Sequence, residues 1–280
     1  MSQQMTPVCI AAETVALSGY LLAAVAYPVR LLRPGTDFTR WGRWGLVFSA
    51  TLQGLGLAAH LTRAPAGSPN AFANISFTLV LLLCAAIWYI HRRTQRPAMA
   101  GFLTPIVFLV AVVGLVRPST EVPEIRAWFL VHVALAFLAY AAFGVAFAMA
   151  MAYLVNDWSL KHKRLERLPL LPPLTVADDV GHLAVVIGVA LLTLSLVVAL
   201  LFVVAAGLPL GGKVAISGLV WLNYVAYLVL RDGPHWRGRR LQALLLFGFA
   251  LALGSFVLVP HSRAYSMSPP EGVSRGTPNR

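Results

Sequence analysis

Charged residues are scarce in this sequence. Asp, Glu, Lys and Arg make up 11% of its 280 residues, whereas a soluble globular protein carries about 25%. Hydrophobic residues make up 59%, and the mean hydropathy is +0.76. Uncharged runs of about 20 residues recur from end to end, and each is long enough to cross about 30 Å of hydrocarbon. The composition excludes a soluble protein and predicts a multi-pass membrane protein.

Groups that carry out chemistry are also rare. Only two cysteines occur, Cys9 and Cys84, and they form neither a Cys-x-x-Cys redox pair nor a metal framework. No Lys or Arg lies deep in an apolar run and no chain of carboxylates crosses one, which argues against a proton pump or a voltage sensor. Phosphate-binding loops, paired catalytic carboxylates and Ser/His/Asp sets are absent as well. We therefore predict that the protein is not an enzyme.

Acidic residues are outnumbered, with 10 Asp and Glu against 22 Lys and Arg, so the formal net charge is +12. The basic residues lie in short groups between the apolar runs, where membrane insertion places them. Nucleic acid is therefore rejected as a partner. Anionic lipids are the expected partners of these basic loops.

Hydropathy predicts a fold of helical spans. No alternating pattern of about ten residues appears, which favours a helical bundle over a barrel. The predicted fold class is all-α, an integral membrane bundle of about eight transmembrane helices. The eight spans lie near residues 11–31, 45–62, 72–91, 101–117, 127–155, 183–207, 213–230 and 239–260. They form one domain over residues 1–262, and the Ser-, Pro- and Arg-rich segment 263–280 is predicted to be a disordered tail.

The distribution of basic residues predicts the orientation. Most of them follow the first, third, fifth and seventh spans, and the alternate connections carry few. Basic loops stay on the cytoplasmic side of a membrane. Both termini are therefore predicted to lie outside, in the periplasm.

Three histidines lie at the predicted outer ends of spans. His60 closes the second span, His132 lies one to two turns into the fifth, and His261 follows the eighth. A neutral imidazole can coordinate iron, and two histidines from facing helices can hold a haem in a bundle. The residues alone also allow ordinary interfacial or hydrogen-bonded histidines, and they favour that interpretation.

Two further features allow two interpretations each. The sixth span begins near three polar residues, Asp178, Asp179 and His182. They could form a metal site, but two acids in a first helical turn are more typical of helix capping. The segment 132–152 of the fifth span contains nine Ala and one Gly. Such small residues serve close helix packing or form a wall for a flat ligand such as haem.

The fifth span carries a pattern that resembles a known family. Residues 128–143 read Trp-Phe-Leu-Val-His-Val-Ala-Leu-Ala-Phe-Leu-Ala-Tyr-Ala-Ala-Phe. This resembles the W-x-x-x-H-V-x-x-x-x-x-A-Y-x-x-F signature of the cytochrome c assembly membrane protein family, which includes CcsA, CcmC and HemX. Further elements are similar to its HemX/YpjD-like branch: an outer histidine at His60, Pro172-Pro173, Ile187-Gly188, Trp236 with Arg239-Arg240, and Phe247-Gly248-Phe249. The resemblance covers roughly residues 45–262.

The departures from the family pattern concern haem presentation. Members that attach or export haem carry a Trp-rich periplasmic segment, and no outer loop here contains two neighbouring tryptophans. Gly212-Lys213 stands where the branch commonly has His-Lys. Conversely, His261-Ser262 followed by Ala264-Tyr265 is similar to an outer H-S-Y element of haem-handling members.

The resemblance implies an inner-membrane accessory protein of cytochrome c biogenesis or haem handling. It would bind a b-type haem (haem b) through His132, with His261 or His60 as the second axial ligand. Haem and other membrane proteins of cytochrome c maturation or the haem pathway would be its partners. The alternative is a cofactor-free scaffold or regulatory subunit, which controls tetrapyrrole synthesis as HemX-like proteins do or joins a membrane transport complex.

Overall fold

A computed structural model describes residues 7–33, 38–63, 71–94, 96–116, 127–205, 212–233 and 236–258. The regular elements within these ranges are all helical, with no strand. The eight α-helices are α1 Pro7–Leu32, α2 Thr39–Arg63, α3 Ala71–Thr94, α4 Thr104–Val116, α5 Ala127–Lys161, α6 Leu174–Ala205, α7 Gly212–Asp232 and α8 Arg239–Leu258. Two 3-10 helices, Pro97–Phe102 and Leu165–Leu170, precede α4 and α6. The all-helical prediction is confirmed, and the tail 263–280 lies outside the described residues.

Among the described residues, four segments are long and apolar enough to cross a membrane. Judged by length and composition, they are Glu13–Leu32, Val131–Lys161, Leu168–Ala205 and Val214–Asp232. Helix α4 is apolar as well but has only 13 residues. A multi-pass helical protein therefore agrees with the structure, whereas the total of about eight spans and the outer position of both termini stay predictions.

The helices begin at positions set by prolines, and they include polar residues that a hydropathy profile leaves out of the apolar spans. Pro172 and Pro173 directly precede α6, where a proline favours the start of a helix. Helix α6 therefore begins at Leu174, nine residues before the start of the apolar span predicted from residue 183. The helical turns before residue 183 contain charged residues, which lower the local hydropathy although the backbone there is helical. Similarly, the 3-10 helix Pro97–Phe102 delays α4 until Thr104.

Helix α5 is the centre of the packing. It packs most extensively against α6 and also contacts α3 and α8, while α1 packs against α2 and α4. Near the end of α5, the Asn156 side chain donates to the Pro172 carbonyl just before α6 at 2.9 Å. Near the start of α5, His132 contacts Ser195 late in α6. The two helices are therefore an antiparallel pair.

Small residues allow the helices around α5 to approach closely. Its alanines 139, 146, 148, 150 and 152 are fully buried. A Cβ added at Gly181 of α6 would lie 3.2 Å from Cβ of Met149, and one added at Gly188 would overlap the Phe143 ring. The small residues of the fifth span thus serve close helix packing.

Candidate functional site

His132 lies in the second turn of α5 and is held by one residue of α6. Its Nδ1 atom lies 2.9 Å from the carbonyl oxygen of Ser195 and 2.8 Å from the hydroxyl oxygen of the same residue. The Ser195 hydroxyl also lies 3.0 Å from the His132 carbonyl oxygen, to which it donates. Ser195 is fully buried. The imidazole is therefore clamped at the interface between α5 and α6.

These contacts assign the proton on the imidazole ring. A carbonyl oxygen only accepts hydrogen bonds, so Nδ1 must carry the hydrogen that it shares with Ser195. The single hydroxyl proton of Ser195 is directed to the His132 carbonyl, which leaves the hydroxyl oxygen as a second acceptor for Nδ1. In a neutral ring Nε2 is then the nitrogen with the lone pair.

This arrangement fits the requirement for a histidine ligand to a metal. Metal-binding histidines donate their other ring nitrogen to a carbonyl, a carboxylate or water, which sets the tautomer and the ring orientation. Nδ1 of His132 makes this donation to Ser195. The tautomer of His132 therefore suits a ligand of haem iron.

The other two predicted ligands are not placed by the structure. His60 belongs to the last turn of α2, but its side chain and the whole of His261 lie outside the described residues. The pairing of His132 with His261 or His60 thus stays a prediction.

Tyr140 is held by α8. Its hydroxyl lies 3.3 Å from the Ser255 hydroxyl oxygen, and Ser255 donates to the Ala252 carbonyl at 2.8 Å. Because Ser255 has already used its proton, the Tyr140 hydroxyl is the donor between the two. A cavity beside Tyr140, lined by Phe249 and Ala252 among others, measures about 10 Å³. At most one water would fit in such a volume, so this cavity has no room for haem.

The residues of the family-like pattern converge on Tyr224 of α7. The rings of Phe143 and Tyr224 stack with centroids 3.7 Å apart and an interplanar angle of 7°. Gly188 of α6 faces the Phe143 ring, and a Cβ added at Gly248 of α8 would lie 3.0 Å from the Tyr224 ring. The two glycines thus make room for the stacked rings. Tyr224 was not predicted, since nothing in its local sequence distinguishes it from other aromatic residues of apolar helices.

A second polar contact joins α6 to α7 inside the apolar layer. The Trp221 indole nitrogen donates to the Thr193 hydroxyl at 2.8 Å, and Thr193 donates to the Val189 carbonyl at 2.7 Å. Thr193 lies two residues before Ser195 on α6. The position of Trp221 well inside its span is therefore explained by a partner for its N–H group.

Asp178 is the centre of a polar network at the opposite end of α6. Its carboxylate forms an ion pair with Arg231 of α7 at 2.9 Å and accepts a hydrogen bond from the Gln242 side chain of α8 at 3.1 Å. Arg231 also donates to the Tyr227 hydroxyl at 3.1 Å. Because α6 begins at Leu174, its first turn contains no acidic residue. The first-turn capping role predicted for Asp178 is wrong, and the residue joins three helices instead.

The metal alternative for this region finds no support in the structure. His182 lies one turn after Asp178, and its ring is 6.4 Å from that of Tyr227. Among the described residues, no group of three or more His, Cys, Asp or Glu side chains is arranged to hold a metal ion.

Comparison with known proteins agrees with the predicted family. A family model described as Cytochrome C assembly protein matches residues 67–259. The inner membrane protein YpjD of Escherichia coli K12 is 27% identical over 235 residues, which cover 79% of this chain and 88% of the relative. YpjD of the O6:H1 and O157:H7 strains has the same identity and coverage. No solved structure matches the chain significantly.

The cellular location follows from the same comparison and from the helices. The relatives are named inner membrane proteins, and four apolar helices suit several crossings of a membrane. The chain is a multi-pass protein of the inner membrane, as predicted. Since the family model matches more than half of its length, the chain belongs to the cytochrome c assembly protein family.

Proposed function

We propose that the protein is a non-catalytic accessory protein of cytochrome c biogenesis or haem handling, and that it holds a b-type haem through His132. Family membership supports the role in cytochrome c assembly. The observation that carries the haem role is the donation from Nδ1 of His132 to the Ser195 carbonyl. This donation leaves Nε2 as the ligand nitrogen.

The residues of the chain would act by positioning. Ser195 sets the tautomer of His132, and the antiparallel packing of α5 and α6 fixes the direction of the imidazole ring. A bound haem would supply an iron centre whose reduction potential depends on its axial ligands and on the polarity around it. His261 or His60 would provide the second iron ligand.

The test is the visible spectrum of the protein purified in mild detergent, reduced minus oxidised, with pyridine haemochrome quantification. We expect a b-type spectrum for the wild type that is lost in His132→Ala. His261→Ala and His60→Ala identify the second ligand, because only the variant without that ligand changes the axial coordination. His162→Ala is the matched control: His162 directly follows the end of α5, where its Nδ1 contacts the Trp158 carbonyl at 2.9 Å, far from the His132 end of that helix.

The opposite result has a defined meaning. A folded wild-type protein that stays colourless after haem supplementation would overturn the haem role. The cofactor-free scaffold or regulatory subunit would then be the function that family membership supports.

A further inference from the structure

A cavity of about 620 Å³ lies between α1, α2 and α3, beside the 3-10 helix Pro97–Phe102. It lies near the start of α2 and the end of α3, so it is separate from His132, which contacts the later part of α6. Nothing in the proposed haem role uses this cavity.

The cavity has a charged end and an apolar end. The charged end is lined by Arg40 and Arg43, which lie one turn apart at the start of α2, and by His91 from the last turn of α3. Leu46 and Ala50 of α2 line the other end, along with Cys84 and Ile87 of α3. From Arg40 to Ala50 the helix rises about 15 Å, which is about half of the hydrocarbon thickness of a bilayer.

The charge of the first end is not balanced by the described part of the protein. Arg40 and Arg43 are exposed, and neither forms an ion pair with a carboxylate among the residues that the structure describes. Asp37, the nearest acidic residue in the sequence, lies outside those residues. Two arginines one turn apart attract a phosphate, which accepts several hydrogen bonds from guanidinium groups.

The side of the cavity carries exposed apolar groups. Val47 and Trp88 line it and are 51% and 60% exposed, respectively. The guanidinium of Arg92 lies 4.9 Å from the centre of the Trp88 ring. A tryptophan between apolar and basic side chains is typical of the headgroup level of a membrane.

We propose that this cavity binds one anionic phospholipid. Arg40 and Arg43 hold the phosphate, and one acyl chain lies between α2 and α3 along Leu46, Ala50 and Cys84. A free phosphate would use only the charged end, whereas a phospholipid uses both ends. Basic pockets between transmembrane helices are known sites for anionic headgroups.

The experiment is native mass spectrometry of the full chain, delipidated in detergent. The probes are phosphatidylglycerol, phosphatidylcholine with the same acyl chains, and glycerol phosphate, which represents the headgroup alone. We expect one phosphatidylglycerol to be retained and the other two probes to bind far more weakly. Equal retention of phosphatidylcholine would overturn the proposal, because a net negative charge would not be required.

The charge arm uses Arg40→Gln/Arg43→Gln. Phosphatidylglycerol binding is expected to weaken about 30-fold, because each basic residue near a membrane surface contributes about a fivefold factor. The control Arg237→Gln/Arg240→Gln removes the same charge at exposed positions around the start of α8. If both double variants weaken phosphatidylglycerol binding equally, the binding depends only on the general surface charge, which would contradict a site at this cavity.

The shape arm uses Ala50→Trp, which fills the apolar end without a change of charge. We expect phosphatidylglycerol to be lost, whereas Leu55→Trp, at a position on α2 that is 66% exposed, retains it. If Ala50→Trp binds phosphatidylglycerol like the control, or if glycerol phosphate binds as well as the lipid, the cavity is a phosphate site only. Circular dichroism identifies misfolded variants, and the charge arm decides independently if Ala50→Trp does not fold.

Discussion

Ser195 contacts His132 in two different ways, and these two contacts have different consequences. The backbone carbonyl sets the tautomer of the imidazole, whereas the hydroxyl adds a bond in each direction between α5 and α6. A substitution at this position removes the hydroxyl but keeps the carbonyl. The contribution to helix packing and the contribution to ligand chemistry can therefore be separated.

Ser195→Ala is expected to lower the free energy of unfolding by about 1 kcal/mol, the typical value of a net hydrogen bond. The haem content should change little, because the carbonyl still accepts from Nδ1 of His132. Denaturation in detergent mixtures, followed by circular dichroism, measures the first effect, and pyridine haemochrome quantification measures the second.

The matched control for this prediction is Ser49→Ala. Ser49 is also fully buried, but its hydroxyl has no hydrogen-bond partner among the described residues. This control should be nearly neutral. An equal loss of stability in both variants would show that the Ser195 hydroxyl contributes no more than an unpaired one.

Gly188 tests the packing of the stacked rings. Gly188→Ala is expected to destabilise the protein by about 1–3 kcal/mol, the usual cost of overpacking, because the new methyl group would overlap the Phe143 ring. Gly218→Ala adds a methyl group where no atom lies within 4 Å, so it should be neutral or slightly stabilising. The same denaturation measurement compares the two, and similar stabilities would be evidence against the close approach.

At the scale of helices, polar contacts at the two ends of α6 link it to its neighbours. His132 and Ser195 join it to α5 at one end, and Asp178 joins it to α7 and α8 at the other. Such contacts specify which helices pack together, since apolar surfaces are equally compatible with lipid and with one another. The hydropathy of single helices contains no information about these partners.

Asp178→Ala is expected to cost about 3 kcal/mol, because the largely buried Arg231 would lose its close partner and keep only the exposed Asp179, at 3.9 Å. The double variant Asp178→Ala/Arg231→Leu should recover part of this loss, since no uncompensated charge remains. A double-mutant cycle on the free energy of unfolding measures the coupling.

Asp157→Ala is the control for the buried pair. Its partners Lys161 and Arg239 are 55% and 56% exposed, so the loss should stay below about 1 kcal/mol. Equal costs for Asp157→Ala and Asp178→Ala would contradict a special role of the Asp178 network.

At the scale of the whole molecule, the basic loops predict which connections face the cytoplasm. The pairs of helices α1 and α2, α3 and α4, α5 and α6, and α7 and α8 are joined by the more basic connections. Within the part of the chain that the structure describes, four helices qualify as spans by length and composition, whereas hydropathy of the whole sequence with the positive-inside rule predicts about eight. The two counts lead to different topologies.

Single cysteines introduced into a chain without Cys9 and Cys84 distinguish these topologies. An impermeant maleimide added to intact cells should label Ser68→Cys and Ser266→Cys, which lie on the predicted outer side, but not Thr36→Cys or Gln95→Cys. All four should react after the membrane is opened. Labelling of Thr36→Cys in intact cells would overturn the predicted orientation.

The sequence by itself determined the membrane class, the helical fold, the family and His132 as a candidate ligand, because these depend on local hydropathy and short patterns. Only the tertiary structure decided that Ser195 holds His132, that Arg231 and Gln242 surround Asp178, and that Tyr224 stacks on Phe143. These partners are far apart in the chain: His132 and Ser195 are 63 positions apart, and Asp178 and Gln242 are 64 positions apart. Which of these residues come into contact depends on how the helices pack. The local sequence around a serine, a glutamine or a tyrosine in an apolar helix does not indicate which residue it will contact.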